Sequence, residues 1–143
     1  RTLFVIGSRD AITAQQIAAL DAVAIHDAPG GAFAGPVTLP AVLRCTGPDG
    51  DAAVVARRFA ASAAAIVAET APEILVMSGG DTALAVLDAL GVSLVRPRGE
   101  AARGLPWFSI ARPGAGDLTV VVKSGGFGDS GALAALLPAH QKC

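Results

Sequence analysis

The stretch ILVMSGGDTALAVLDALG, residues 74–91, decides the fold of this chain. It opens with an apolar run of strand length, passes through the small and polar residues Ser78 to Thr82, and continues as an amphipathic pattern that stops at Gly91. This order predicts a buried strand, a tight turn and a helix with a glycine C-cap. The junction has two interpretations. It is a turn that only connects the two elements, or it is a backbone cradle for an anion, because the first turn of a helix offers free N–H groups and a partial positive charge.

Two further junctions of the same chemistry flank this one in the sequence. FVIGSRDAIT at residues 4–13, LVMSGGDTAL at 75–84 and VVKSGGFGDSGAL at 121–133 each pass from an apolar strand through small residues into a helical pattern. Ligands of open α/β sheets bind beyond the carboxyl ends of the strands, so we expect the three turns to converge on one crevice. One such turn is usually only structural, whereas three together favour an anion or nucleotide site as strongly as they favour plain turns. The sequence contains no Walker A motif, nucleophile elbow or zinc-protease motif, and no G-x-G-x-x-G fingerprint follows the first strand.

The remainder of the chain alternates between apolar strand-like runs and helical patterns. We therefore predict an α/β layered sandwich with a mostly parallel mixed sheet, helices on both faces and a β-hairpin near the C-terminus. The predicted strands are 2–6, 23–25, 41–45, 73–78, 92–97, 107–112 and 117–123, the helices are 8–22, 51–69, 81–90 and 131–137, and the loops are 26–40 and 97–106.

Length and composition restrict the class of protein. The 143 residues fit one domain, 1–143, and a hydrophobic content of 52% with 16% charged residues describes a globular chain. A formal net charge of −1 gives no electrostatic signature for nucleic acid or an anionic membrane. Cys45 and Cys143 have neither disulfide-framework nor zinc spacing, so we expect a reduced, cytoplasmic protein. The opening RTLFVIGS is strand-like from its start and has no initiating Met, so we expect a fragment of a longer polypeptide.

The three turns resemble a known family. GSRDAITAQQIAAL at 7–20, SGGDTALAVLDALG at 78–91 and VVVKSGGFGD at 120–129 are similar to the C-terminal nucleotide-binding domain of the four-carbon acid sugar kinases. The last motif is the most specific of the three. Those enzymes phosphorylate tetronates such as threonate, erythronate or 3-oxo-tetronate with ATP. Residues 26–51 are short for the family and do not follow its pattern.

The resemblance implies a site for ATP or ADP, with Mg²⁺, and a partner domain. In the family an N-terminal domain of the same polypeptide carries the acid-sugar site and an early Asp-Asp motif with the catalytic carboxylate. Nothing in this chain matches that motif, so we expect no catalytic residue here and no tetronate phosphorylation by this chain alone. An apolar domain of this kind can form a homodimer, but no particular surface is marked. The implied nucleotide-binding residues are Ser8, Gly79, Gly80, Asp81, Thr82, Gly125 and Gly126.

The side chains of the first two turns keep alternative roles. Thr82 is interpreted as a direct phosphate contact, and Asp81 as a helix cap or a water-mediated metal contact, each against a role in capping alone. Ser8 faces phosphate or ribose, or caps the first helix in competition with Asp10 and Thr13.

Larger side chains near the third turn are also open to two interpretations. Lys123 pairs with phosphate or extends to solvent. Phe127 packs against adenine or anchors its loop in the core, and we favour the core. Trp107 and Phe108 belong to the core or contact the partner domain.

Three functions follow, in decreasing order of support. The first is the ATP-binding domain of a kinase for four-carbon acid sugars. The second is a non-catalytic nucleotide- or phosphate-sensing module on the same fold. The third is a structural domain whose glycine turns bind nothing.

Overall fold

The computed structural model describes residues 1–47 and 50–138, and Cys143 lies outside them. Seven strands, three α-helices and one 3₁₀-helix follow one another along this part of the chain. The strands are β1 (Thr2–Ile6), β2 (Ala24–Pro29), β3 (Ala41–Thr46), β4 (Ile74–Ser78), β5 (Arg96–Ala102), β6 (Leu105–Ile110) and β7 (Leu118–Lys123). The helices are α1 (Ala11–Ala18), α2 (Ala52–Thr70), α3 (Gly80–Ala89) and the 3₁₀-helix Ala134–Leu136. Within the described residues, none of the helices is both long and apolar enough to cross a membrane.

All seven strands form one sheet in the order β2-β3-β1-β4-β7-β6-β5. The pairs β2–β3, β3–β1, β1–β4 and β4–β7 are parallel, whereas β7–β6 and β6–β5 are antiparallel. The predicted fold class, a mostly parallel mixed sheet with a hairpin near the C-terminus, is confirmed.

The two faces of the sheet carry separate cores. Along β1, Leu3 and Val5 face a cluster that includes residues of α2 and α3, whereas Phe4 and Ile6 face one built with α1 and residues 133–137. Every residue of β1 is buried. Burial on both faces is why the central strands read as continuous apolar runs rather than alternating ones.

Aspartates cap two of the three α-helices. The Asp10 carboxylate accepts the Ile12 N–H at 2.8 Å before α1, and the Asp51 carboxylate accepts the Val54 N–H at 3.1 Å before α2. Of the three capping candidates at the first helix, Asp10 is therefore the cap. At α3 the N-cap is Gly79, and no side chain among the described residues caps the helix.

Removal of the second cap tests this assignment. Asp51→Ala is expected to lower the free energy of unfolding by about 1 kcal/mol, because one helix N–H loses its acceptor. Urea unfolding followed by circular dichroism measures the change. Glu69→Ala, at an exposed position near the end of the same helix, is the control and is expected to change stability by less than about 0.5 kcal/mol. Equal stability of the Asp51 variant and the parent would contradict the cap.

The predictions for the edge near the hairpin were wrong. Residues 92–95 form no strand, and the predicted loop 97–106 instead contains most of β5, the turn at 103–104 and the start of β6. Every residue of β5 is exposed, so the strand carries no apolar pattern in the sequence. Only main-chain pairing with β6 makes residues 96–102 a strand.

Two other segments also differ from the prediction. Residues 26–29, predicted as loop, continue β2, an edge strand that pairs only with β3. The predicted helix 131–137 contains only the 3₁₀-helix Ala134–Leu136, because one short turn cannot sustain an α-helix and the packing of Leu133 and Leu137 into the core holds the segment. The third glycine turn therefore does not lead into an α-helix.

Candidate functional site

The three glycine turns begin side by side at one edge of the sheet. Ile6, Ser78 and Lys123 are the last residues of neighbouring parallel strands and stand in register. The Gly7 N–H donates to the Ser78 carbonyl at 3.2 Å, and the Gly79 N–H donates to the Lys123 carbonyl at 3.0 Å. The expected convergence of the turns at the carboxyl edge is therefore confirmed.

Close contacts between the turns require glycine at two positions. A Cβ on Gly7 would overlap the Thr82 hydroxyl, and a Cβ on Gly125 would lie 2.8 Å from Ser8 Oγ. The first turn thus contacts the second through Gly7 and Thr82, and the third through Ser8 and Gly125. This geometry brings together the predicted site residues of all three turns: Ser8, residues 79–82, and Gly125 with Gly126.

The second turn presents an open helix N-terminus. Gly79 has φ +101°, a region that favours glycine, and its carbonyl accepts the first backbone bond of α3, from the Ala83 N–H at 3.0 Å. The N–H groups of the helix's first turn have no intrahelical acceptor. Asp81 is exposed in that turn and does not cap the helix, so its capping interpretation was wrong. Within the part of the chain that the structure describes, a Cβ placed on Gly80 would meet no atom within 4 Å, so no described residue fills the space over Gly80.

Ser8 connects α1 to the first turn. Its Oγ accepts the Asp10 N–H at 3.2 Å and lies 3.4 Å from the Thr13 hydroxyl. Thr13 Oγ1 also donates to the Gly125 carbonyl at 2.5 Å. Ser8 does not cap α1. It belongs to the first turn and faces the third, and its own hydroxyl proton is free to rotate.

Lys123 lies inside the protein. Its side chain is fully buried, and Nζ donates to the carbonyls of Ser124 at 2.8 Å and Gly125 at 2.6 Å. Burial lowers the pKa of Lys123, and the nearby Asp10 carboxylate opposes that shift. Neither predicted alternative describes this residue, since it reaches neither solvent nor the surface of the crevice.

The aromatic residues of this region divide between the surface and the two cores. Phe127 is 41% exposed, and a Cβ on Gly104, in the β5–β6 turn, would overlap its ring. The favoured core position of Phe127 was therefore wrong. Trp107 and Phe108 are half-buried and pack against the clusters on opposite faces of the sheet.

Cavities lie on both sides of the first turn. One of about 390 Å³ opens toward α2 and one of about 300 Å³ toward α1, and Arg9 and Cys45 line both. The larger has a size typical of small-molecule sites. Besides Arg9 and Cys45, it is lined by Gly7, Gly50, Ala52, Val55, Ala56, Phe59 and Thr82.

The residues from β3 and α2 in this lining were not predicted from the sequence. Val55 and Phe59 lie on α2 and carry no motif in the sequence, and the one signal for Cys45 was that β3 also ends at the carboxyl edge. In the described ranges 1–47 and 50–138, no three His, Cys, Asp or Glu side chains are grouped so that they could hold a metal ion.

An open, mostly parallel α/β sheet whose glycine turns meet beside an uncapped helix N-terminus is typical of nucleotide-binding domains. The chain belongs to the nucleotide-binding C-terminal domain family, whose sequence model matches residues 42–133. The comparison with curated proteins gave no match.

Solved structures agree with this assignment. Two crystal structures of a domain of unknown function (DUF1537) from Bordetella bronchiseptica, described as domain-swapped dimers with bound citrate, are 28% and 27% identical to this chain, with TM-scores of 0.76 and 0.78. A Haemophilus influenzae protein of the same family has a TM-score of 0.69 at 16% identity, which supports the fold alone. DUF1537 proteins are the four-carbon acid sugar kinase family, so the resemblance seen in the sequence is confirmed.

The chain is shorter than these structures. The alignments cover 99% of it for the Bordetella protein and 94% for the Haemophilus protein, but only 38–40% of either protein.

Proposed function

We propose that residues 1–143 are the ATP-binding domain of a two-domain kinase that phosphorylates a four-carbon acid sugar, a tetronate or 3-oxo-tetronate. The N-terminal domain of the same polypeptide would supply the sugar-acid site and the catalytic carboxylate. The observation that carries the proposal is the uncapped N-terminus of α3 at Gly79 and Gly80, which opens beside the 390 Å³ cavity.

The phosphates fit the turns. Backbone N–H groups at Gly80, Asp81 and Thr82 combine with the helix dipole, and open space over Gly80 leaves room for an anion. Ser8 and the Gly125–Gly126 peptide border the same place, so a diphosphate there would be in reach of all three turns.

The purine ring of the nucleotide fits the cavity of about 390 Å³ that opens toward α2. Its walls include the apolar side chains of Val55 and Phe59, and Thr82 and Gly7 form the end next to the glycine turns. A purine ring buried there would leave its phosphates at the start of α3. Arg9, at the mouth of both cavities, is placed to meet the ribose or phosphate portion.

Mg²⁺ would arrive with the nucleotide. This ion is usually held by phosphates, waters and one or two carboxylates rather than by a complete protein cage. Asp81, exposed at the start of α3, is the carboxylate in position for a direct or water-mediated contact. The metal would neutralise charge on the transferring phosphoryl group.

Localisation and assembly are part of the same proposal. Buried Cys45 is a free thiol, which supports a reduced cytoplasmic compartment. The domain-swapped dimers of the Bordetella protein support a homodimer for this chain as well.

A nucleotide- or phosphate-sensing module is the second candidate. It rests on the same observation, the donor groups of the uncapped helix N-terminus beside the cavity of 390 Å³, which are suited to bind nucleotide or phosphate without any transfer step. The two candidates agree on nucleotide binding and differ on phosphoryl transfer.

Calorimetric titration of this chain with ADP and Mg-ATP tests the shared step. We expect saturable 1:1 binding with a Kd between about 1 µM and 1 mM, the usual range for enzyme substrates. The complete polypeptide that contains this domain, assayed with ATP and threonate, erythronate or 3-oxo-tetronate, tests the kinase. Phosphorylated product supports the kinase, and nucleotide binding without any product favours the sensing module. Absence of binding to ADP and Mg-ATP would contradict both.

A further inference from the structure

The proposed nucleotide site leaves one buried charge unexplained. Lys123 is the last residue of β7 and is fully buried, although an ammonium loses its hydration when it is buried and needs partners. Its partners are consecutive main-chain carbonyls, those of Ser124 and Gly125. The Gly125 carbonyl also accepts the Thr13 hydroxyl. Lys123 and Thr13 therefore hold the carbonyls of Ser124 and Gly125 from inside the protein, and Gln16 holds those of Phe127 and Asp129 further along the turn.

This arrangement orients the N–H groups of the turn. The carbonyl and the following N–H of a trans peptide point in opposite directions. Because the carbonyls of Ser124 and Gly125 point toward the ammonium, the N–H groups of Gly125 and Gly126 point away from it. No acceptor in residues 1–47 or 50–138 takes either N–H. Successive free N–H groups in a turn form a concave site for an anion.

The charge of the ammonium adds to the effect of the turn. Lys123 lies behind the turn and raises the electrostatic potential in front of it, with little screening because it is buried. The charged group that faces it is Asp10, at the start of α1. Its Oδ1 accepts the Ile12 N–H, and its Oδ2 lies 3.2 Å from the position of an added Cβ on Gly126, so the charge of the ammonium also offsets this carboxylate beside the turn. Ser78, the neighbour of Lys123 in register on β4, is uncharged.

We infer that Lys123 is a positioning residue: it holds the turn Ser124-Gly125-Gly126 so that two N–H groups face the crevice and bind the diphosphate of the nucleotide. The inference rests on the proposed nucleotide function and deepens it, since it assigns the binding of the diphosphate in part to a residue that does not touch it. Ligands without phosphate are independent of this turn.

Calorimetry with ADP, adenosine and pyrophosphate on Lys123→Met tests the inference. Methionine keeps most of the side-chain volume but cannot donate hydrogen bonds. We expect the affinity for ADP and for pyrophosphate to fall about tenfold or more, while adenosine affinity stays within about twofold. A role confined to stability would lower all three affinities together or none. Unchanged ADP and pyrophosphate affinity in the folded variant overturns the inference and leaves the proposed function intact.

A second variant covers the case in which Lys123→Met does not fold. Thr13→Val retains the lysine and removes one of the two bonds to the Gly125 carbonyl with little change of shape. We expect the affinity for ADP and for pyrophosphate to fall about threefold, while the affinity for adenosine is unchanged. Equal loss for adenosine would overturn the inference.

The wild-type titrations separate this inference from the proposed function. Binding of pyrophosphate but not of ADP, weakened in the variant, would contradict the nucleotide function and support the role of Lys123. Binding of neither ligand would contradict both.

Discussion

Gly80→Val is expected to raise the Kd for ADP at least about a hundredfold while the domain stays folded. A valine side chain on Gly80 would project into the space over the start of α3, where the phosphates are proposed to lie. No atom of residues 1–47 or 50–138 lies within 4 Å of the added Cβ, so none of these residues opposes the substitution. Gly80 is not among the residues with positive φ, so the backbone accommodates valine without strain.

The stability of this variant distinguishes a blocked site from a damaged fold. Valine has a better helix propensity than glycine, so the thermal midpoint is expected to stay the same or rise slightly. Ala115→Val, in the turn between β6 and β7 and away from the glycine turns, is the control and should bind ADP like the parent. Calorimetry measures both affinities. An ADP affinity within about threefold of the parent would mean that the phosphates do not lie over Gly80.

Gly7→Ala is expected to lower the free energy of unfolding by about 1–3 kcal/mol, the usual cost of overpacking. The new Cβ would overlap the Thr82 hydroxyl and lie 2.9 Å from Thr82 Cβ, which is closer than unbonded carbon atoms approach. Rotation of the threonine relieves only part of the overlap. The start of α3 must then move away from β1, and the crevice between the first and second turns widens.

Two further variants make this prediction specific. Gly47→Ala is the matched control, because Gly47 also follows a parallel strand and an added Cβ there would meet no atom of the described residues within 4 Å. Its stability is expected within about 0.5 kcal/mol of the parent or slightly above it. Thr82→Ala combined with Gly7→Ala is expected to recover part of the loss, with a coupling energy of about 0.5–3 kcal/mol in a double-mutant cycle followed by urea unfolding. Additive losses of the free energy of unfolding would show that the residues at positions 7 and 82 do not interact.

Most of the site was predictable because its residues are grouped in sequence. Gly79 and Gly80 directly follow an apolar strand at the start of a helix, the same order recurs at Ser8, and Gly125 also follows an apolar strand. Since parallel strands end at a common edge, recognising the strands was enough to predict that the turns would meet. The cavity wall of Val55 and Phe59 was not predictable, because these residues approach the site from α2 across the sheet and no local pattern marks them.

The sequence by itself determined the parallel centre of the sheet and the three glycine turns, because burial on both faces and positive φ leave local signatures in residue type. Only the tertiary structure decided three further features: β5 as an exposed strand, the short 3₁₀-helix in place of a final helix, and the burial of Lys123 against the third turn. Each depends on partners distant in sequence: β6 for the edge strand, the core around Leu133 for the last turn, and Thr13 of α1 beside the lysine. Non-local contacts of this kind override local propensity, and they set the direction of the main-chain groups in the third turn.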